Sequence, residues 1–307
     1  MFLAGPALCR LCAQLRQSVH PWVSVTPVID LHTHSTFSDG SLTPDALVQE
    51  SVRAGLTAVA LTDHDGVGGV PLFLESCRKA GLRGISGVEI SVDIKAGTMH
   101  MLGYFVDPEN PGFGETLVRI REGREDRNQV ILGKLNTMGF SLSWEDVAKF
   151  AGEDVVGRPH FAKALIEKGY ARNKEAAFDR FLAKGKPAYA ERYRLTVEES
   201  IAMIVNAGGV PVLAHPFTLG LHKKGLRKLV TELVEKGLQG IEAYYPEHDH
   251  EKHRFCLLLA QELDLAVTGG SDFHGSANPG LRLGTGFGGL SVPDDLVDKL
   301  YARTHQD

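Results

Sequence analysis

Six places in the chain put side chains that can hold a metal beside short apolar runs. They are Asp30-Leu31-His32-Thr33-His34 with Asp39 close behind, Asp63-His64-Asp65, Glu89, His100, His215-Pro216, and Ser271-Asp272-Phe273-His274. Residues two apart in an extended segment point to one side. His32 and His34 can therefore grip one ion, and Asp272 and His274 can face one site. Imidazole and carboxylate together suit zinc, manganese or iron. Each place alone is weak: a lone His-x-His is more often not a metal site, and a lone Asp-His-Asp is more often a solvated turn. Nine such groups beside otherwise apolar segments argue for one site.

The elements that must carry them alternate. Val28–Leu31 reads as a strand. Thr43-Pro44-Asp45 then reads as a helix start, with Thr as cap and Pro in the first turn. Strands follow at Ala58–Leu61, Gly84–Val92 and Met101–Val106, with a helix over Pro71–Lys79. From Glu115 to about Lys184 the period is helical throughout. The alternation resumes at Thr196, with strands Val210–Ala214, Gly240–Tyr244 and Ala266–Thr268 between helices. This pattern is α/β with a largely parallel sheet. In α/β barrels site residues gather at the C-terminal strand ends. His100 stands before its strand and needs a turn to bring it inward.

The chain has 307 residues, a net charge of −5 and 43% hydrophobic residues, which allows a real core and forces no large basic face. No apolar run approaches a membrane span. Of the cysteines, Cys9 and Cys12 have no second pair to complete a zinc ribbon, and Cys77 and Cys256 read as core thiols. Nothing demands disulfides, so a reducing, cytoplasmic setting is expected. Residues 1–27 hold Arg10 and Arg16 and no acid, and read as a loosely ordered N-terminal extension rather than a targeting peptide.

In these residues the chain resembles the PHP (polymerase and histidinol phosphatase) family of metal-dependent phosphoesterases. The resemblance rests on His32-Thr33-His34 with Asp39, Asp63-His64-Asp65, Glu89, His100, His215 and Asp272-Phe273-His274. Within the family it looks most like the branch of nucleoside 3′,5′-bisphosphate phosphatases and a related 5′-end exoribonuclease. That branch has a helical insertion and a pair like Arg158-Pro159-His160. The resemblance implies a distorted (βα)7 barrel over 28–110 and 190–307, with a small helical domain inserted over 111–189. It implies two or three divalent ions, manganese first, with iron or zinc as alternatives. His32, His34, Glu89 and Asp272 would hold one. Glu89 would bridge to a second, held by His100 and His215. Asp39, His64 and His274 would hold a third.

The chemistry expected is phosphate-ester hydrolysis by a metal-activated water. No Ser or Cys nucleophile motif is apparent. Arg158 is read as a phosphate clamp, because its planar fork fits two phosphate oxygens. His160 either assists substrate or protonates the leaving group. Asp65 either orients water, donates a proton or supports a neighbouring ligand. The mixed-charge run 119–128 is usually a solvated face. Arg124, Arg127 and Asn128 in it are nonetheless candidates for a second phosphate. The expected substrates are a small nucleotide and single-stranded RNA 5′ ends. Few aromatics interleave with the basic residues, and Phe113, Trp144, Phe150 and Phe161 read as core. The competing readings are a phosphatase for another monoester such as histidinol phosphate, and a metal-stabilised binding module without turnover. A metal amidohydrolase is disfavoured because no bridging lysine is apparent. No membrane or obligate protein partner is expected.

Overall fold

A computed structural model describes residues 28–94, 99–151 and 156–305. The expected extension over 1–27, with Cys9 and Cys12, lies outside the described residues. Seven strands form one sheet in chain order. They are β1 (Val28–Asp30), β2 (Leu56–Leu61), β3 (Arg83–Val92), β4 (Met99–Tyr104), β5 (Val210–Leu213), β6 (Gly240–Tyr244) and β7 (Ala266–Gly269). Neighbours pair in parallel except β4, which runs antiparallel to both β3 and β5.

That reversal corrects the expected place of His100. It lies inside β4, paired with Ser91 near the end of β3. Because β4 runs backwards, its first residues lie beside the last residues of its neighbours. His100 reaches the common rim without a turn.

Alternate strand residues enter different apolar layers, as the two-residue period requires. Ile29, Ala58, Ala60, Ile85, Leu102, Val210 and Val212 share one cluster with the last helix, α10 (Leu296–Tyr301). Val59 and Leu61 face outward against α1 (Pro44–Arg53) and α2 (Val70–Ala80). Val88, Ile90 and Leu213 pack against α7 (Val197–Asn206), α8 (Lys223–Glu235) and α9 (His250–Glu262). Local signals set these helices. Thr43 accepts from the Ala46 N–H ahead of Pro44, and Thr196 and Glu199 form a capping box.

Between β4 and β5 the described residues form no strand pairing with the sheet except a bridge from Leu195 to Val92. They hold α3 (Pro111–Thr137), α4 (Trp144–Ala148), α5 (Arg158–Glu167), α6 (Lys174–Ala177) and a π-helical turn over Phe178–Leu182. Ile131, Leu135, Val147, Phe161, Leu165 and Leu182 give these helices an apolar cluster of their own. No described helix is long and apolar enough to cross a membrane. Cys77 and Cys256 are buried and unpaired, and burial pushes both thiols up to about 12.

The chain just past β1 meets the end of β7. The Leu31 N–H donates to the Gly269 carbonyl at 3.1 Å, and Thr33 pairs with Phe273. The buried Asp30 carboxylate accepts from the backbone N–H of Ser271 at 2.8 Å and of Gly284 at 2.7 Å. Gly270 is required here, because a Cβ on it would stand 2.3 Å from the His32 nitrogen. Gly270→Ala is expected to cost about 3 kcal/mol, as overpacking against backbone does. A denaturant midpoint equal to the parent's would show that the strand ends are not locked at this point.

Candidate metal centre

Glu89 lies at the middle of the rim, fully buried near the end of β3. Its Oε1 is 2.7 Å from His100 Nδ1 and 2.9 Å from His215 Nε2. Its Oε2 is 3.3 Å from both His32 Nε2 and His34 Nε2, and 3.0 Å from His64 Nδ1. Burial alone would raise its pKa. His64, His100 and His32 outweigh that and hold the carboxylate well below its usual range.

Around Glu89 three groups bring their ligand atoms within 4.8 Å of one another. His32, His34, Glu89 and Asp272 form one, the set the resemblance implies for one ion. Asp39, His64 and His274 come together with His34 added. His64, Glu89 and His100 form the third, and His215 meets the same Glu89 oxygen as His100. His34 and His64 thus stand in two groups each. His274 Nε2 is 3.1 Å from Asp39, and His34 Nε2 is 3.2 Å from Asp272.

His32 Nε2, His34 Nε2, His64 Nδ1 and Glu89 Oε2 are buried without a hydrogen-bond partner among the described residues. One such orphan costs about 1–3 kcal/mol. Orphans that converge on one point fit a cation between them. The nitrogen and carboxylate donors suit manganese, iron or zinc.

Hydrogen bonds behind the ligands fix their orientation. The assigned pattern has His32 Nδ1 donating to Glu242 at 2.9 Å, His215 Nδ1 to the Thr218 hydroxyl at 2.9 Å and His274 Nδ1 to the Asp272 carbonyl at 2.8 Å. Each leaves Nε2 with a free lone pair toward the rim. The other oxygen of Glu242 accepts the His215 backbone N–H at 2.6 Å, and the Tyr245 hydroxyl donates to Asp272 at 3.0 Å. Asp63 accepts from Ser35 N–H at 2.7 Å and from the Ser38 hydroxyl at 2.6 Å, pinning the loop that delivers Asp39. His215, Asp65 and Asp272 adopt positive φ of 24°, 52° and 55°. Such backbone costs about 1–3 kcal/mol per residue and persists where surrounding bonds impose it.

A cavity of about 1500 Å³ opens over the rim, walled on one side by Asp39, His64, His100, Asp272 and His274. Arg124, Arg127, Arg158, His160, Arg192 and Arg194 wall the other. Asp65 lies buried between the two walls. Its Oδ1 accepts the Ser91 N–H at 2.8 Å, and its Oδ2 accepts from Arg124 and, at 3.0 Å, from Arg192. Burial would raise its pKa, but Arg124 and Arg192 hold it well below the usual range. The carboxylate is thereby placed to hold both arginines.

Arg127 is only 6% exposed, and its Nε is unpaired. Burial, then the neighbouring Arg192 and Arg124, bring its pKa down to about 9. It sits on the face expected to be solvated because that face turns toward the rim. Asn128 departs from the expected substrate contact. It is fully buried and its amide donates to the Val156 carbonyl at 2.7 Å, so it ties α3 to the start of α5. His160 Nδ1 accepts the Gly157 N–H at 3.0 Å, and burial followed by Lys163 lowers its pKa to about 4. It is a neutral ring with its N–H on Nε2. Arg158 lies over the Phe178 and Tyr189 rings at 5.8 and 5.5 Å. Phe113 and Phe161 are core, whereas Phe150 lines the cavity.

Glu242, Tyr245, Thr218, Arg192 and Arg194 were not among the expected residues. Glu242 could have been noticed as the one charge within an apolar strand. Arg192 and Arg194 alternate in Glu191-Arg192-Tyr193-Arg194, an extended spacing that turns both to one side.

Comparison with known proteins gives consistent relatives. The family model described as the PHP domain matches residues 30–202. A 3′,5′-nucleoside bisphosphate phosphatase of Chromobacterium violaceum is 32% identical over 258 residues, covering 83% of this chain and 90% of that one. A 5′-3′ exoribonuclease of Escherichia coli is 34% identical over 249 residues, covering 80% and 85%. A solved structure from Bifidobacterium adolescentis, described as that of a metal-dependent phosphoesterase, superposes with a TM-score of 0.76 at 30% identity, covering 90% and 96%.

Glu242→Gln keeps the volume but leaves one acceptor where two are used. It is expected to weaken manganese binding about 10–100-fold, the range for lost ligand-orienting bonds. Competition titration against a chelator measures this, and an unchanged affinity would remove Glu242 from the account of the centre.

Proposed function

The chain belongs to the PHP domain family, and on that premise we propose that it is a metal-dependent phosphoesterase acting on nucleotides with two phosphates. The observation that carries the substrate reading is the arginine wall facing the ligand rim. Arg124, Arg127, Arg192 and Arg194 gather beside a single buried carboxylate, Asp65. A monoester would need the rim alone. A patch with this excess of positive charge fits a second phosphate.

Divalent ions, manganese in our reading, would be held by His32, His34, Asp39, His64, Glu89, His100, His215, Asp272 and His274. When bound they supply charge neutralisation at a phosphate and a water of lowered pKa. The remaining work falls to the chain. Arg124 and Arg192, held by Asp65, would grip the second phosphate with charge-assisted hydrogen bonds. Arg127 brings a buried positive charge that an arriving anion neutralises. His160 presents an Nε2–H to a phosphate or leaving-group oxygen, and acts as a hydrogen-bond donor rather than as a charged acid.

The size of the cavity supports extending the reading to 5′-phosphorylated RNA ends. It exceeds the ~300–1,000 Å³ usual for small ligands, and in both substrates the bond broken would be that from phosphorus to the 3′ oxygen. We also propose that the sheet closes as a distorted (βα)7 barrel, which the Leu31–Gly269 bond supports. The helices over 111–189 would be a small inserted domain, supported by their separate apolar cluster.

The test is phosphate release with manganese from adenosine 3′,5′-bisphosphate, beside p-nitrophenyl phosphate and histidinol phosphate. Arg192→Ala is expected to lower kcat/KM for the bisphosphate about 10–100-fold, as loss of a charge-assisted bond of ~1.5–3 kcal/mol does. The simple monoester should change less than about threefold on the same ground. Equal losses on both, or a preference for histidinol phosphate, would sink the two-phosphate reading.

A further inference from the structure

The ends of β6 and β7 lie side by side at the rim. The Gly270 N–H donates to the Tyr244 carbonyl at 3.0 Å, and the pairing register shifts between Glu242 and Tyr244. Gly269 lets the two strands close in, because a Cβ on it would stand 2.3 Å from the Tyr244 Cβ. This sets Tyr245, the next residue, against Asp272, which follows soon after Gly270. The Tyr245 ring is packed among others that limit its rotation. Its centroid is 5.4 Å from the His215 ring and 5.4 Å from the His248 ring.

Asp272 turns its two oxygens to different partners. Its Oδ1 is 3.2 Å from His34 Nε2 and 3.4 Å from His32 Nε2. Both nitrogens are buried without a hydrogen-bond partner, and Glu89 Oε2 stands 3.3 Å from each of them. These four donors converge on the Oδ1 side. Oδ2 accepts instead from the Tyr245 hydroxyl at 3.0 Å. A carboxylate can hold a cation with one oxygen or with both. Here a phenol donor already occupies the second oxygen.

We propose that Tyr245 is a positioning residue that keeps Asp272 a one-oxygen ligand and so leaves open a coordination place toward the cavity that Asp272 lines. The proposal rests on the ion-binding part of the reading above and not on its substrate part. Chelation by both oxygens would fill a place that water or a phosphate oxygen has to take, and catalytic metal sites keep such a place open. Tyr245 touches neither substrate nor ion. It acts through Asp272.

The experiment loads the wild type, Tyr245→Phe and Tyr245→Leu with cobalt(II), whose visible absorption weakens as its coordination number rises. Tyr245→Phe keeps the ring and removes the hydroxyl, whereas Tyr245→Leu removes both. Tyr245→Phe is expected to lose visible absorption at equal cobalt content. Its kcat for p-nitrophenyl phosphate should fall about tenfold or more, as loss of a ligand-orienting bond does. Circular dichroism of the ion-free proteins and elemental analysis of bound cobalt check fold and loading. A wild-type spectrum in Tyr245→Phe, with Tyr245→Leu alone altered, assigns the effect to ring packing and overturns the proposal. A crystal structure of the manganese-loaded wild type tests it without any variant. Oδ1 on the ion with Tyr245 still on Oδ2 is the expected result, and both Asp272 oxygens on one ion overturns the proposal. Wild-type protein that takes up neither metal removes the ion-binding reading, and the proposal with it. Failure of the two-phosphate reading leaves these spectra unmoved.

Discussion

A carboxylate buried against five histidines is the constraint around which this molecule is arranged. Glu89 approaches His32, His34, His64, His100 and His215, which come from four separate segments. Carboxylate oxygens and imidazole lone pairs buried at one point repel one another unless positive charge sits among them. The scaffold must therefore hold the groups where they would not stay unaided. Asp30, Asp63 and Glu242 do this with bonds to backbone and hydroxyl groups. Backbone at His215 and Asp272 is held in sparsely populated conformations for the same end.

Much of this was legible in the sequence because its signals are local. Thr43-Pro44 and Thr196 with Glu199 mark helix starts by chemistry within four residues. The ligands stand out as polar groups at the ends of apolar runs. What was not legible depends on partners distant in sequence. His100 was set outside its strand because strand direction is invisible in periodicity, and only the antiparallel course of β4 explains its position. Glu242 reads as a stray charge until His32, 210 residues away, is seen to donate to it. Arg192 meets Arg124 at Asp65 although 68 residues separate the two arginines.

The helices between β4 and β5 thus do more than cover the sheet. Their apolar residues form a cluster of their own, while their arginines turn back to the rim. Binding chemistry is divided between two bodies of side chains. In the proposed reading the ligands for ions come from strand ends, and the cations for an anionic substrate from the helices and from the segment that leads back into the sheet. A division of this kind lets the ion-binding half stay constant while substrate preference changes by substitution in the helices alone.

Asp65 is where the two halves touch. Its backbone follows His64, its Oδ1 is tied to Ser91 two residues beyond Glu89, and its Oδ2 is held by arginines of the other wall. An anion that draws those arginines toward itself alters the force on a residue covalently joined to an ion ligand. Thermodynamic reciprocity then applies. Whatever factor an anion contributes to cation affinity, the cation returns to the anion.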